Sequence, residues 1–533
     1  MRTHLLSLAL LVGPVSHAQQ VSWLNEASVD YISNPGMPRH ELASAPGHLA
    51  AMRMADVSLI YGTHIFGTVV LDALDPATGA VGLSCAVSDP VSVGAAAVSP
   101  QGIGYFTGAF AGDALVLCDG TQVPSLGSAL TVNHFLLAWD LATGTPLWCR
   151  NLSIAHPNGD EVPSLAIDPD GHLWYLVRDL MSGKVVRVDA AGNDVEERTL
   201  SGVRRFGTLS FDPWGGLYVS GSCENGDLTF GGQSFAVEST EGYNMFVLRY
   251  RPDGTAGFAQ FARDFTFTHP TVAATQDGHA YLAGDLNLSG GLWGGMPFTG
   301  TNWGDDVFIA RLDSTGHFLW GLEAHPTDEG ITGDVQRAHG PCIAVGSEGE
   351  VYFTGSTRGT VGWGNGVVSG GAGITSRRLS VLAIAPDGVP QWVANSAAAG
   401  LFVTAQTITS GAEADAVHFV AHTSGDLTYG PFSVNSDGDQ AAVRGRIAGI
   451  TTGVHTKPAS TDLHAWPNPT TGLLHIERMG SLPVPADLMN SAGQRVQRVS
   501  LRPGRTTVDV TGLAPGLYLL RIAGEEALRV VVE

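Results

Sequence analysis

The stretch Thr208-Leu-Ser-Phe-Asp-Pro-Trp-Gly-Gly-Leu-Tyr-Val-Ser-Gly-Ser222 decides the fold, because it has the pattern of two short strands joined by an Asp-Pro-Trp-Gly turn. It continues through Gly226-Asp-Leu-Thr-Phe-Gly-Gly232 and a hairpin around Met245–Gly254 that ends at Phe258. Variants of this unit recur before and after it. The pattern indicates a repeat protein whose copies bury their apolar faces by packing on one another.

The repeat has a measurable period. An aromatic residue followed by glycine recurs at intervals of 63, 70 and 66 residues, at Phe230, Trp293, Trp363 and Tyr429. A second aromatic residue follows the first three after 28, 27 and 29 residues, at Phe258, Trp320 and Trp392. A spacing that is nearly constant within the unit and variable between units is typical of a fixed core joined by loops of different length.

Each unit is predicted to contain four antiparallel strands. The first precedes a turn such as Gln276-Asp-Gly278, and the second ends in glycine, as in Ala280-Tyr-Leu-Ala-Gly284. The third carries the aromatic-Gly step, and the last pair forms a hairpin such as Val307–Trp320. Four-stranded units of about 40 to 70 residues that follow one another along a chain are typical of a β-propeller.

Together the copies predict an all-β propeller of about seven four-stranded blades. Four long units end near Ile447, and three shorter ones precede them at residues 52–87, 95–148 and 165–200. Because the first and third copies are weakly marked, six and eight blades are the alternatives. The propeller is predicted to span residues 49–450, after a polar, proline-bearing lead-in at residues 19–48.

The first 18 residues have the pattern of a secretory signal peptide. Arg2 is followed by the apolar run Leu5–Val12 and by Ser16-His-Ala18, which fits a small-residue cleavage site. The apolar run is too short to cross a hydrocarbon core of about 30 Å, so a transmembrane segment is not expected. We therefore expect residues 1–18 to be removed on export.

Composition narrows the class of protein further. The 69 Gly and 28 Pro in 533 residues favour a large all-β protein with more than one domain. The formal net charge of -22, from 28 basic and 50 acidic residues, repels phosphate backbones, and nucleic acid is not expected as a partner. The odd number of cysteines, five, permits at most two disulfides, and small buried residues are their predicted role.

The repeat units resemble those of secreted bacterial β-propeller repeat proteins, in which a Tyr-x-x-Gly step is followed by Phe-Gly-Gly and a hairpin that ends in Trp. The matching segments are Tyr218-Val-Ser-Gly221, Phe230-Gly-Gly232, Phe246-Val-Leu-Arg-Tyr250, Tyr352-Phe-Thr-Gly355 and Trp392. The resemblance covers about residues 94–450. It implies a fold and not an activity, because one fold hosts many functions.

The chain changes character after Ile447. A linker rich in Thr, Gly, Pro and Ala is predicted at residues 451–465. Residues 466–533 carry seven Arg against six acids, whereas residues 1–465 carry -23 (21 minus 44). Short strand-like runs separated by Gly and Pro turns predict a small immunoglobulin-like β-sandwich at 466–533.

This last segment closely resembles the type A sorting domain of type IX secretion. The resemblance is carried by Trp466-Pro-Asn-Pro-Thr-Thr-Gly472, Asn490-Ser-Ala-Gly493, Gly512-Leu-Ala-Pro-Gly516-Leu-Tyr-Leu and Arg529-Val-Val-Val532. It implies that the type IX machinery is a partner, which reads the domain at the outer membrane and removes it as the protein is released or anchored. The protein is expected to be secreted or held at the outer cell surface.

A search for catalytic motifs gives near misses. His40-Glu-Leu-Ala-Ser44 begins like a zincin helix but lacks the second His, and it lies in the predicted lead-in. Asp168-Pro-Asp-Gly171 and Asn435-Ser-Asp-Gly-Asp439 offer oxygen ligands without EF-hand spacing and are interpreted as turns. The sequence therefore predicts no catalytic residue, no metal site and no cofactor.

Weaker patterns point towards enzymes. Asp140-Leu-Ala-Thr-Gly144 and Asp75–Gly79 are similar to the repeat of quinone-dependent dehydrogenases, although both are equally good hairpin turns. Ser210–Gly215 is similar to the Asp turns of sialidase-like propellers, but the Arg cluster of that family is not identifiable. Paired acids at Asp305-Asp306 or Asp328-Glu329 could serve a glycosidase, yet adjacent residues on a strand face opposite ways.

We therefore expect a secreted, non-catalytic propeller used for adhesion or for binding an extracellular glycan or protein. The alternatives are a glycan-active hydrolase or lyase on a propeller scaffold, and a surface-layer protein without a soluble ligand. Three or more convergent Asp, Glu, Arg or His side chains at the mouth of the ring would favour the enzyme. A mouth lined by Gly, Thr and Ser would favour binding.

Overall fold

The computed structural model divides the described chain into two compact units, a larger one within residues 18–451 and a smaller one within residues 452–533. It describes residues 19–27, 39–61, 64–127, 131–154, 161–179, 182–240, 242–263, 269–286, 291–293, 296–298, 306–326, 333–371, 375–397, 402–435, 440–449, 463–466, 468–478, 484–490, 495–502, 504–522 and 528–532. All regular elements in these ranges are β-strands. Among these residues, no helix is long and apolar enough to span a membrane. The predicted all-β fold is confirmed.

The described strands of the larger unit form four-stranded antiparallel groups, which we number 1 to 7 along the chain. Group 1 contains Glu41–Ala45, His48–Met54, His64–Leu74 and the first half of Val81–Val98; group 2 contains the second half of that strand, Ile103–Phe110, Asn133–Asp140 and Thr145–Leu152; group 3 contains Glu161–Ile167, Leu173–Asp179, Ser182–Val188 and Asp194–Ser201. The strand Val81–Val98 continues from one group into the next, because it pairs first with His64–Leu74 and then with Ile103–Phe110.

The later groups repeat this order. Group 4 contains Val203–Phe211, Leu217–Glu224, Tyr243–Tyr250 and Ala256–Arg263; group 5 contains Thr271–Ala274, Ala280–Leu286, Asp306–Leu312 and Phe318–Glu323; group 6 contains Asp334–Arg337 and Ile343–Val345 as an interrupted first strand, then Val351–Arg358, Arg377–Ile384 and Pro390–Asn395; group 7 contains Phe402–Ser410, Ala416–Ser424, Gln440–Ala448 and Gln20–Ala27. The fourth strand of group 7 thus comes from the opposite end of the unit.

That pairing corrects the predicted lead-in. Residues 19–48 were expected to precede the repeats, but Gln20–Ala27 pairs along its length with Gln440–Ala448, and Glu41–Ala45 is the first strand of group 1. Trp23 and Leu24 are buried in the new pairing. The sequence did not reveal this pairing, because the partner strand lies more than 400 residues away and long-range pairing leaves no local signal.

The first strands of the groups lie side by side. Hydrogen bonds join those of groups 3 and 4, 4 and 5, 5 and 6, and 6 and 7, and those of groups 1, 2 and 3 are in contact. Group 7 also meets group 1, because the Ser44 hydroxyl donates to the Ser410 carbonyl at 2.6 Å and lies 2.7 Å from the Thr409 hydroxyl. Each first strand therefore has a neighbour on both sides, including at the chain ends.

A repeated aromatic contact links neighbouring groups. The indole N–H of Trp320 in group 5 donates to the Pro386 carbonyl in group 6 at 2.9 Å, and the ring lies over Gly388. Trp23 in group 7 makes the same contact with Pro76 and Gly79 in group 1. Gly388 (φ 89) and Gly79 (φ 69) adopt left-handed turns, and a Cβ there would lie 2.8 Å and 2.7 Å from the ring.

The aromatic-Gly steps lie outside the third strands, which corrects the predicted strand order. They occur in two-stranded hairpins between the second and third strands, and these hairpins are Gly226–Phe230 with Gln233–Val237, Gly291–Trp293 with Met296–Phe298, Thr360–Gly364 with Val367–Gly370, and Leu427–Tyr429 with Phe432–Val434. Phe230 pairs with Leu200 on the last strand of the preceding group, and Trp293 pairs likewise with Ala262. These hairpins therefore extend the edge of the neighbouring group and cover it.

The disulfide Cys85–Cys118 connects the same kind of elements covalently. Cys85 lies on the last strand of group 1, and Cys118 follows Ala114–Val116 in the hairpin of group 2 with Gln122–Pro124. The other cysteines are free thiols, with Cys223 and Cys342 buried and Cys149 partly so. Burial raises the pKa of Cys223 to about 12. A disulfide at this position fits an oxidising compartment.

The smaller unit contains two antiparallel sheets. One is formed by Leu463–Trp466, Leu473–Arg478 and Gly504–Asp509, and the other by Arg495–Leu501, Val484–Asn490, Gly516–Ile522 and Leu528–Val532. Leu474, Leu488, Leu501 and Val530 are among the residues that form its buried core. The first strand begins at Leu463, inside the range expected for the linker, and residues 451–462 lie outside the described residues.

Candidate functional site

Charged and imidazole side chains gather where the first strands of the larger unit begin. We call them the mouth cluster, and its members are Arg39, His40 and Glu41 in group 1, Arg205 in group 4, His269 and Asp285 in group 5, Arg337 and His339 in group 6, and His422 in group 7. Most of these residues lie within a few residues of the start of a first strand. Because the first strands lie side by side, their side chains come close together. The cluster therefore draws on five of the seven groups.

The outer part of the cluster reaches solvent. His339 and Arg205 are exposed, and the side chain of Arg39 is 33% exposed. His269 is half-buried; its Nδ1 lies 3.1 Å from the Phe206 carbonyl, and its Nε2 lies 3.3 Å from the Arg205 guanidinium. A neutral ring that donates from Nδ1 and accepts at Nε2 satisfies both contacts.

The two outer histidines are held neutral. Burial, followed by the positive charges of Arg337, Arg205 and Arg39, lowers the pKa of His269 to about 4. Desolvation, Arg337 and Arg39 also lower the pKa of His339. Arg39 and Arg337 therefore lie within electrostatic reach of the same two rings, although they belong to different groups.

A buried layer lies beneath these residues. The rings of His40 and His422 meet edge to face, with centroids 4.8 Å apart. Burial and then His339 lower the pKa of His422 to about 3, and burial, His422 and Arg444 lower the pKa of His40. Neutral imidazoles avoid the cost of placing charge in this interior.

An ion-pair network adjoins the buried layer. The Asp72 carboxylate, fully buried, accepts from Arg53 at 2.8 Å and from Arg444 at 2.9 Å. Arg444 belongs to group 7 and Asp72 to group 1, so the pair bridges the ends of the unit. Removing either partner would leave a buried charge without compensation.

The carboxylates of the cluster are paired with arginine. Glu41 accepts from Arg39 at 2.6 Å, and Asp285 accepts from Arg337 at 2.8 Å. Burial raises the pKa of Glu41 above its ordinary value. Arg39 and Arg337 are thus each matched by one carboxylate, and each contact uses only part of the guanidinium group. The arrangement is suited to holding an anion.

Most residues weighed from the sequence lie away from this cluster. Asp168–Gly171 is a turn at the far end of the first strand of group 3, and the Asp168 carboxylate accepts from the Trp174 indole at 2.9 Å. Asp168, Asp170 and His172 offer ligand atoms within 4.8 Å of one another, but turn hydrogen bonds already occupy Asp168. Asp75–Gly79 and Asp140–Gly144 are also turns at that end.

The remaining candidates divide between turns and undescribed segments. In the turn Ser210–Gly215 the Asp212 carboxylate is buried and paired with Arg249 at 2.7 Å, and Trp214 is 55% exposed. Asp306 is buried at the start of a third strand. Asp305, Asp328, Glu329 and residues 436–439 lie outside the described residues.

Sequence reasoning found His40 and Glu41 for the wrong reason. They were considered as part of a zincin motif in an unstructured lead-in, whereas both are buried in the mouth cluster. The other members carry no motif at all. One signal was readable: His40 and His269 each lie just before a first strand, and His339 lies in the interruption of the first strand of group 6. Recognising this pattern requires the order of the strands, which the sequence alone predicted only in part.

Comparison with known proteins places the C-terminal segment in a family. Residues 464–532 match the family described as "Secretion system C-terminal sorting domain", which confirms the predicted sorting domain. The domain indicates export by type IX secretion, to the outer cell surface or the medium, and implies interaction with that machinery. The predicted signal peptide, residues 1–18, lies outside the described residues.

Solved structures that resemble the chain are distant. A protein of unknown function from Bacteroides caccae is 12% identical (TM-score 0.23) and covers 54% of this chain and 94% of its own. A quinohemoprotein alcohol dehydrogenase from Pseudomonas putida is 12% identical (TM-score 0.35; 86% and 81%). PorZ, a surface component of the type IX secretion system of Porphyromonas gingivalis, is 10% identical (TM-score 0.14; 96% and 100%). No curated protein matches the chain.

Proposed function

We propose that the larger unit is a seven-bladed β-propeller that is exported to the cell surface or the medium and binds an extracellular glycan at the mouth cluster without transforming it. The succession of four-stranded groups and the contacts between groups 7 and 1 support the ring. The sorting domain supports the location. Adhesion to a glycan-bearing surface is the biological role that these features favour.

The proposal that the mouth cluster is not catalytic rests on its carboxylates, which are paired with arginines. A glycosidase needs two carboxyl groups with separate roles as acid and as base or nucleophile. Within the described part of the mouth cluster, Glu41 and Asp285 are each bound by an arginine. Neither of these carboxyl groups is free for a glycosidase role, and the outward side chains that remain are guanidinium donors and imidazoles.

A glycan array tests the binding proposal. The full-length exported protein, purified from the medium and labelled, should bind a restricted set of glycans, and His339→Ala should weaken that binding while leaving the melting temperature unchanged because His339 is exposed. An array on which no glycan binds above background would contradict the proposal.

A glycan lyase is the second candidate. Three or more arginine and histidine side chains converge at the mouth, which is the arrangement expected of an enzyme. A lyase needs a proton acceptor and does not need two carboxyl groups. His339 is exposed, and its lowered pKa leaves the imidazole unprotonated at neutral pH, as a proton acceptor requires, while making it a weaker base. Incubation with polyuronates tests it: accumulation of unsaturated products in the wild type and their absence with His339→Ala would favour the lyase over the binding protein.

A further inference from the structure

We propose that the ligand of the mouth cluster is an anionic glycan whose carboxylate or sulfate groups are held by Arg39 and Arg337. This inference rests on the proposed function and narrows it to a class of ligand. Neutral glycans are bound chiefly through hydroxyl groups and aromatic stacking, whereas the side chains that converge here are guanidinium and imidazole groups together with two carboxylates that are paired with arginine.

Arg39 and Arg337 are held in place by hydrogen bonds to other protein groups, and these bonds use only some of their N–H donors. Arg39 uses Nε and Nη2 on Glu41, and Arg337 uses Nε on Asp285 and Nη1 on the Ala338 carbonyl. These contacts fix the guanidinium planes. Within the part of the chain that the structure describes, no hydrogen bond is made by Nη1 of Arg39 or Nη2 of Arg337, so each retains donors for a ligand. A pre-organised guanidinium loses little freedom on binding an oxyanion.

The location favours one charged sugar over a protein surface. The Glu41 carboxylate that holds Arg39 lies against Gly340, in the same segment as Arg337 and His339, and both arginines lower the pKa of His269 and His339, so the two arginines lie in one part of the molecule. A stable protein interface typically buries about 800 Å² on each partner, far more than these side chains present. A glycan reaches such a site with a single ring or chain end.

The net negative charge of the whole protein limits where an anionic glycan can bind. A net charge of -22 repels anions from most of the surface, so an anion binds where guanidinium N–H groups such as those of Arg39 and Arg337 are available. Because the attraction is electrostatic and the outer residues are solvated, binding should weaken as salt is raised.

Titration calorimetry with the full-length exported protein tests the inference. The probes are oligogalacturonate, heparin oligosaccharide and xylo-oligosaccharide of equal length, which are carboxylated, sulfated and neutral. We expect at least one anionic series to bind about tenfold more tightly than the neutral one, and Arg39→Gln to weaken that binding about tenfold, the usual effect of losing a charge-assisted contact. Preference between the two anionic series identifies the acid group.

The control is Arg251→Gln, which removes the same charge from an exposed turn at the far end of group 4 and should leave affinity unchanged. His339→Ala provides a second, exposed variant should Arg39→Gln fail to fold. Equal or tighter binding of the neutral series, or equal losses with Arg39→Gln and Arg251→Gln, would overturn the anionic assignment and leave the glycan proposal standing. Binding of none of the three series would count against both.

Discussion

Trp320 shows how one residue type joins neighbouring groups. Its indole lies over Gly388 and donates to the Pro386 carbonyl, so the ring is packed and its polar atom satisfied in one contact. Tyr218 and Tyr281 make a parallel contact near the start of the second strands, because their hydroxyls donate to the carbonyls of Gly278 and Gly349 in the next group. Trp320, Tyr218 and Tyr281 are therefore inter-group residues.

Replacing Trp320 should weaken the contact between groups 5 and 6. We expect Trp320→Ala to lower the free energy of unfolding by about 2 kcal/mol, since most of the apolar area of one aromatic ring returns to water. Urea denaturation measures the change. The neighbouring Leu319 is 49% exposed, so Leu319→Ala is the matched control and should shift the free energy by less than about 0.5 kcal/mol. Equal effects of the two substitutions would contradict the inter-group role.

The lowered pKa of His422 predicts that the stability of the folded protein depends on pH. Its pKa of about 3 in the folded protein, caused by burial and then by His339, lies below the value of about 6.5 expected in the unfolded chain. Between these values the unfolded chain binds a proton that the native protein does not, so stability is complete above about pH 6.5 and is lost as pH falls.

Denaturation curves between pH 7 and pH 4 measure that loss. His422→Gln removes one such group and should make the decline shallower by up to about 1.4 kcal/mol per pH unit. Because Glu41, whose raised pKa acts in the opposite direction, is present in both proteins, the comparison isolates His422. An unchanged slope would show that the imidazole is protonated in the native protein.

At the scale of elements, the inserted hairpins explain the long repeats. Each hairpin that carries an aromatic-Gly step lies between a second and a third strand, and those of groups 4 and 5 pair with the edge of the preceding group. Exposed strand edges invite pairing with other chains, and covering them is a recognised protection. In group 2 the hairpin is fixed to its neighbour by Cys85–Cys118.

Loss of this disulfide should be costly. It spans 33 residues, and the chain-entropy account gives about 3 to 4 kcal/mol of stabilisation for a loop of that length. We expect Cys118→Ser to lower the free energy of unfolding by up to that amount. The wild type in excess reductant should fall to the level of the variant, and a variant as stable as the oxidised wild type would show that the hairpin is held by packing alone.

The elements that the sequence predicted are those with local signals. The Tyr-x-x-Gly strand at 218–221 and the closing hairpin before Trp320 have β-branched and aromatic residues bounded by turns, and both are strands. Gln20–Ala27 escaped prediction because its partner is more than 400 residues away. The mouth cluster escaped because its members are brought together by the order of the groups and not by spacing along the chain.

At the scale of the molecule, the sorting domain indicates export by type IX secretion. Removing residues 464–532 deletes the segment that matches the sorting family. We expect the shortened protein to remain in the periplasm with its disulfide formed, while the full-length protein reaches the medium or cell surface. Cell fractionation and immunoblotting measure the distribution. Normal secretion of the shortened protein would contradict the type IX route.

The ring proposal determines whether a mouth exists at all, because the cluster draws on groups 1, 4, 5, 6 and 7. Without contact between groups 7 and 1, Arg39 and Arg337 would not face a common ligand. The Ser44 and Thr409 hydroxyls lie 2.7 Å apart across that contact, although 365 residues separate them. Their side chains are therefore close enough for an engineered disulfide.

The double variant Ser44→Cys/Thr409→Cys therefore tests the central claim most directly. Non-reducing gel mobility and peptide mapping of the exported monomer should reveal an intramolecular cross-link between the two introduced thiols, while a control that pairs Ser44→Cys with Thr404→Cys, at the other end of the same strand, should not cross-link. A closed ring predicts near-complete cross-linking of the first variant. Free thiols at both positions, or cross-links only between molecules, would contradict it.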